Sequence, residues 1–164
     1  MAEVLVIGVR IEQPTNQHVL LLRESAGDRI LPIWIGDSEA QAIILQQQGV
    51  EPPRPLTHDL FRDVIGALGH SLKEVRIVDL REGTFYADLV FDNDVRVSAR
   101  PSDSVALAIR MGVPIHVEDA VLDEAGLLMP DDSDEESDGT MREDEVEKFK
   151  EFLDSVSPDD FKAT

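Results

Sequence analysis

The chain has 164 residues, with 34 acidic side chains against 15 basic ones, no cysteine, 42% hydrophobic residues and 5% aromatics. The absence of cysteine excludes a disulfide scaffold, thiol catalysis and cysteine-ligated zinc or iron–sulfur sites, and a chain this long buries enough surface to fold without them. A formal charge of −19 at pH 7 opposes simple binding of nucleic acid through its phosphates, which draws on Lys and Arg contacts; such chemistry would need a local basic group or a bridging cation.

No apolar run approaches the ~20 residues of a membrane helix. The opening MAEVLVIGVRIEQ has no basic flank, long apolar core or cleavage site, so no membrane contact is expected and the chain reads as soluble and cytoplasmic. In chain order, VLVIGVRIE, HVLLLRE and RILPIWIG are Val-, Ile- and Leu-rich at strand length, and DSEAQAIILQQQGV follows as a helix closed by Gly49. EPPRP is too rigid for regular structure, and THDLFRDVIGALG predicts a helix with Thr57 as N-cap and Leu60, Val64, Ile65 and Leu68 on one face.

The second half repeats the pattern. SLKEVRIVDLRE, TFYADLVFD and DVRVSAR are strand-like, joined by Glu82-Gly83 and by Asp92-Asn93-Asp94, and lead into SDSVALAIRMGV, a helix closed by Gly112. A short strand at PIHV and a short helix around EDAVLDEAG complete the body. Strands joined by such short turns pair antiparallel. The expected class is therefore α+β, a mostly antiparallel sheet with helices packed on it and a possible internal βββα duplication.

Charge marks the organisation of the rest. Residues 1–126 carry a net −9 and residues 127–164 a net −10. PDDSDEESDG has no apolar side chain to offset the entropy of ordering. The division expected is a domain over residues 1–129, a disordered acidic linker over 130–141, and a C-terminal amphipathic helix and tail over 142–164. Met141, Val146, Phe149, Phe152, Leu153 and Val156 recur at helical spacing, with Asp144 and Lys148 as an i,i+4 pair. Three partners fit such a helix: its own domain, a sister subunit or another protein.

Phosphate loops of the GxGxxG and GxxxxGK[ST] kinds, HExxH and GxSxG are all missing. DDSDEESD lacks the central glycine and terminal Glu of a calcium loop. His18, His58, His70 and His116 are too scattered to form a ligand pair by local spacing.

Two places hold reactive side chains. One is the pair of helix starts at Asp37-Ser38-Glu39 and at Ser102-Asp103, the latter just after Arg100-Pro101; the other is Arg54-Pro55-Leu56-Thr57-His58-Asp59. Each has a plain structural account, since acids and Ser cap helix N-termini and a first-turn His is commonly just exposed. If the two places converge, they supply two carboxylates for a divalent cation, a histidine for proton transfer and two arginines for phosphate, a kit for metal-assisted phosphodiester hydrolysis.

The segments LPIWIGDSEAQAI, RPLTHDLF, TFYADL and RPSDSVALAIR, in this order and spacing, resemble the bifunctional nuclease domain family over about residues 1–130. The acidic tail is similar to that of the actinobacterial version. The resemblance implies a compact α+β domain and, from the family name, hydrolysis of both DNA and RNA by some members. On matching motif positions Glu39 and Asp103 would hold Mg²⁺ or Mn²⁺, His58 would move a proton with Asp59 orienting it, and Arg54 and Arg100 would clamp phosphate. Tyr86 also falls in a matching motif, although an aromatic on a strand is more often core. Many relatives carry an acid two positions before the Arg-Pro; here that position is Ser98.

Two functions follow. One is a metal-dependent nuclease acting on DNA or RNA. The alternative is a non-catalytic regulatory or adaptor module that recruits a protein partner through the acidic tail and residues 142–156. A homo-oligomer is expected in either case, from strand edges and the apolar stripe of the terminal helix.

Overall fold

Three runs rich in Val, Ile and Leu over the first 35 residues form a three-stranded meander. In the computed structural model, which describes residues 1–129, it comprises β1 (Ala2–Glu12), β2 (Gln17–Glu24) and β3 (Arg29–Ile35). Helix α1 (Asp37–Gln47) follows, then α2 (Thr57–Ala67), and a second meander of β4 (Leu72–Arg81), β5 (Thr84–Phe91) and β6 (Arg96–Ala99). The described chain closes with α3 (Pro101–Met111), β7 (Ile115–Val117), α4 (Asp119–Ala125) and β8 (Leu127–Leu128). The two-residue β8 is too short to show in a hydrophobic pattern. The acidic linker and the terminal helix expected over 130–164 lie outside the described residues.

All eight described strands form one sheet in the order β6-β5-β4-β7-β1-β2-β3-β8. Every pairing is antiparallel except that of β4 with β7. The fold is α+β, and the βββα order occurs twice, with one meander on each side of β7. Since β7 runs antiparallel to β1 and parallel to β4, β1 and β4 point in opposite directions. Turn chemistry sets the second meander: Glu82 and Gly83 both take positive φ (49° and 76°), the geometry of a two-residue hairpin whose twist matches its strands.

The core lies between the sheet and the helices. Leu20, Leu22, Leu31, Ile33, Val75, Ile77, Ala87 and Leu89 meet Ala40 and Ile43 of α1, Val105 and Leu107 of α3, and Leu122 of α4. Small residues on the facing helices, Ala40, Ala42, Ala106 and Ala108, let α1 and α3 pack on each other, which brings their starts together. Tyr86 is not in this core. It is half-buried, while its neighbours Phe85 and Ala87 are buried, and Arg81 stacks over its ring at 4.7 Å.

Helix α2 departs from expectation in two respects. It begins at Thr57 with Leu56 as N-cap, and Asp59 rather than a threonine hydroxyl supplies the cap, its Oδ2 accepting the Leu56 N–H at 3.1 Å. Of the expected apolar face only Ile65 is buried; Leu60, Val64 and Leu68 are 54%, 46% and 72% exposed. The helix leans on α3 and is held there by the buried Asp59, which rotates the apolar stripe outward.

Candidate active site

Three helix starts meet at one end of the sheet. Glu39 sits in the first turn of α1, His58 in the first turn of α2, Arg100 at the N-cap of α3 and Asp103 in the first turn of α3. Pro101 at the first helical position presets φ for α3. Ser104 donates its hydroxyl back to the Arg100 carbonyl at 2.8 Å, which steadies this turn.

Asp103 is the hub. Its Oδ1 lies 2.9 Å from His58 Nε2, and its Oδ2 accepts Arg100 Nε at 2.9 Å. Arg100 Nη2 also donates to Glu39 Oε1 at 2.7 Å. The result is a chain Glu39–Arg100–Asp103–His58 that ties α1, α3 and α2 together. The hydrogen bond from His58, joined by those from Arg100, holds the Asp103 carboxyl below its ordinary value against the opposing effect of burial. The bonds to Asp103 and Glu39 hold the Arg100 guanidinium above its own.

With the Nε2 proton directed at Asp103, the Nδ1 lone pair of neutral His58 is left to accept a proton. On Arg100, the Nη1 end has no hydrogen bond among the described residues, and it can donate to an anion. These groups border a cleft of about 880 Å³ whose walls include Leu45, Leu56, Phe61, Leu89, Val97 and Leu107. Ser98, exposed on edge strand β6 opposite Asp88, is at its rim.

Four of the six expected site residues, Glu39, His58, Arg100 and Asp103, therefore come together. Asp59 and Arg54 do not join them. The Asp59 carboxylate turns the other way, accepting Arg110 Nε at 2.8 Å, so His58 is oriented by Asp103 and not by its sequence neighbour. Adjacent helical residues point about 100° apart, which is why one reaches the cleft and the other the α2–α3 interface. Arg54 is exposed and outside the cleft lining, so the expected two-arginine clamp reduces to Arg100.

The other histidines pair separately: His18 with Asp37 at 2.9 Å, His70 with Asp92 at 3.1 Å and His116 with Glu74 at 3.0 Å. Among the described residues no three His, Asp or Glu side chains gather as a metal shell would require. Glu39 and Asp103 each place an oxygen 2.7 Å from Arg100 Nη2, so the space between the two carboxylates is already taken by a guanidinium. The donor set as arranged does not fit a divalent cation.

Two contributors escaped the sequence reading. Arg110, with a side chain only 2% exposed, bonds Asp59, the Ala106 carbonyl and the Ala42 carbonyl, joining all three helices from inside. It falls seven positions after Asp103, two turns along the same helix, which is the signal that was there to be used. Gly36 precedes α1, where a Cβ would fall 2.4 Å from Glu39 Oε2; glycine leaves room for that carboxylate to fold back toward the helix start.

The bifunctional nuclease domain model matches residues 20–130, and the chain belongs to this family. It is 77% identical over 164 residues, the whole of both chains, to an uncharacterized protein of Mycobacterium tuberculosis, MT1877. It is also 22% identical over 136 residues to bifunctional nuclease 1 of Oryza sativa subsp. indica, covering 79% of this chain and 41% of that protein. With bifunctional nuclease 2 of Oryza sativa subsp. japonica the identity is 26% over 117 residues, covering 67% of this chain and 36% of the plant protein.

Proposed function

We propose that the chain is a nuclease that cleaves phosphodiester bonds of nucleic acid in the cleft at the three helix starts. The observation that carries this reading is the Asp103 bridge, 2.9 Å to His58 on one side and 2.9 Å to Arg100 on the other, in a family whose plant members are named bifunctional nucleases. His58 Nδ1 takes the proton from the attacking hydroxyl, the 2′-hydroxyl of RNA or a water, as its oxygen bonds to phosphorus; Asp103 stabilises the imidazolium that forms, and the bond from phosphorus to the leaving oxygen breaks as that oxygen takes a proton from solvent. Arg100 Nη1 donates to a phosphate oxygen whose charge grows in the transition state. Glu39 is a positioning residue that holds the guanidinium from its other side. The apolar wall at Phe61 and Leu56 suits an unstacked base better than a duplex.

This reading is consistent with the acidic net charge: the substrate meets one local guanidinium, not the net field of an acidic body. Since no metal shell is arranged among the described residues, Mg²⁺ and Mn²⁺ are expected to be dispensable. RNA, whose 2′-hydroxyl is an internal nucleophile, is expected to be cut faster than DNA. The test is cleavage of single-stranded RNA and DNA by purified wild type, with EDTA or Mg²⁺, beside His58→Ala. Loss of about 100-fold or more in the variant agrees with general-base catalysis; equal rates in both sink the proposal. The adaptor alternative rests on residues 142–156, outside the described residues.

A further inference from the structure

The sheet has a second apolar cluster, Val19, Leu21, Ile30 and Trp34, exposed by only 0%, 2%, 6% and 6%. Val19 pairs with Trp34, and Arg23 with Ile30. Along β2 and β3 these residues alternate with Leu20, Leu22, Leu31 and Ile33 of the main core, so they occupy the face of the sheet turned away from the helices. Side chains buried this deeply on a sheet face need something lying across them. Among the described residues no helix contributes to this cluster: Ala40, Ala42 and Ile43 of α1, Val105 to Ala108 of α3 and Val121, Leu122 and Ala125 of α4 are in the main core, and α2 packs on α3.

The described chain ends beside this face. Leu127 of β8 pairs with Ile30 of the cluster, and the Met129 N–H donates to the Asp28 carbonyl at 3.0 Å. The 12 residues 130–141 span at most about 40 Å, whereas crossing from β8 to β1 takes three strand spacings, about 15 Å. The next segment, REDEVEKFKEFLDSV, sets Val146, Phe149, Phe152, Leu153 and Val156 at helical spacing, with Glu145, Glu147, Glu151 and Asp154 among them. Arg10 and Arg23 stand on the same sheet face as the cluster, opposite Val19 and Ile30 respectively; Glu12, an acid bonded to the cluster, accepts the Trp34 indole N–H at 2.8 Å, and the two arginines present positive charge to that acidic segment.

We propose that residues 142–156 of this chain lie over the outer face of β1, β2 and β3, on the cluster of Val19, Leu21, Ile30 and Trp34. The tail is then a cover for its own domain, reached directly from β8, and the face it occupies is remote from the cleft.

Trp34 is the sole tryptophan, so its fluorescence reports on this face alone. In the full chain, Phe149→Asp with Phe152→Asp is expected to red-shift Trp34 emission and raise its quenching by acrylamide several-fold, with far-UV circular dichroism unchanged. Unchanged emission from the folded variant overturns the proposal. So does wild-type emission that shifts on dilution, because that assigns the cover to a second copy. Should the double variant fail to fold, the cysteine-free chain permits Phe152→Cys carrying a nitroxide label. Broadening of β2 and β3 amides that persists on mixing with excess unlabelled protein supports the proposal, and broadening elsewhere or none overturns it.

Discussion

Asp59 and Arg110 show how a residue picked out for chemistry can serve structure. Both are buried, and the carboxylate accepts one bond from the guanidinium and one from the Leu56 N–H. Burial works against the Asp59 charge, yet those two bonds outweigh it and the pKa is lowered. Removing one partner leaves the other charge buried and unpaired, so Arg110→Ala is expected to destabilise by about 3–5 kcal/mol, read as a fall in the denaturant midpoint. Asp103 is also lowered, first by its bond to His58. For both groups the native pKa lies under the unfolded one. Their contribution is therefore full above the ordinary value of about 3.9 and lost as pH falls through the native values. Melting temperature should hold from neutral pH to about 5 and drop below 4, and Asp59→Asn should flatten that drop; an equally steep drop in the variant contradicts the assignment.

Gly36 acts at the same scale. In Gly36→Ala the added Cβ meets only the end of the Glu39 side chain, so the helix should survive while the carboxylate is pushed off Arg100. Slower cleavage at an unchanged melting temperature is the expected outcome. A large loss of stability with normal cleavage would assign Gly36 to the fold instead.

At the level of elements, strand and helix patterns were largely legible because each half runs through three strand-like segments of strand length and then switches to helical spacing before a glycine. The left-handed φ of 68° at Gly49 and 66° at Gly112 is what those glycines announced. The helix starts named from Glu39, His58, Arg100 and Asp103 could be recognised as reactive residue types, but their convergence could not: Glu39 and Arg100 are 61 positions apart. Neither could the cap of α2. Thr57 looks like an N-cap, and only the position of Arg110 in the fold explains why Asp59 takes that role and why Leu60, Val64 and Leu68 face outward. This outward stripe, with Leu60 54% and Leu68 72% exposed, is an apolar surface available to the proposed self-association. Leu60→Lys with Leu68→Lys should lower the molar mass seen by sedimentation toward 18.2 kDa, and a wild-type monomer at high concentration would contradict a homo-oligomer.

Across the whole molecule, the sheet divides into two meanders around β7, and α1 and α3, one from each βββα unit, meet on its main core face. The site forms where their starts touch, with α2, the connection between the units, completing it through His58. A duplicated architecture thus supplies Glu39 from one half and Arg100 and Asp103 from the other, while the bridging element supplies His58. Among the described residues no helix is long and apolar enough to cross a membrane, which agrees with the absence of such a run in the sequence.

The most direct test of this account is RNA cleavage in EDTA by wild type, His58→Ala and Asp103→Asn, purified identically and shown by circular dichroism to be folded. Cleavage by the wild type that falls about 100-fold or more in His58→Ala, with a marked loss in Asp103→Asn, is the predicted result. Equal rates in all three proteins, or no cleavage by any of them, would contradict it.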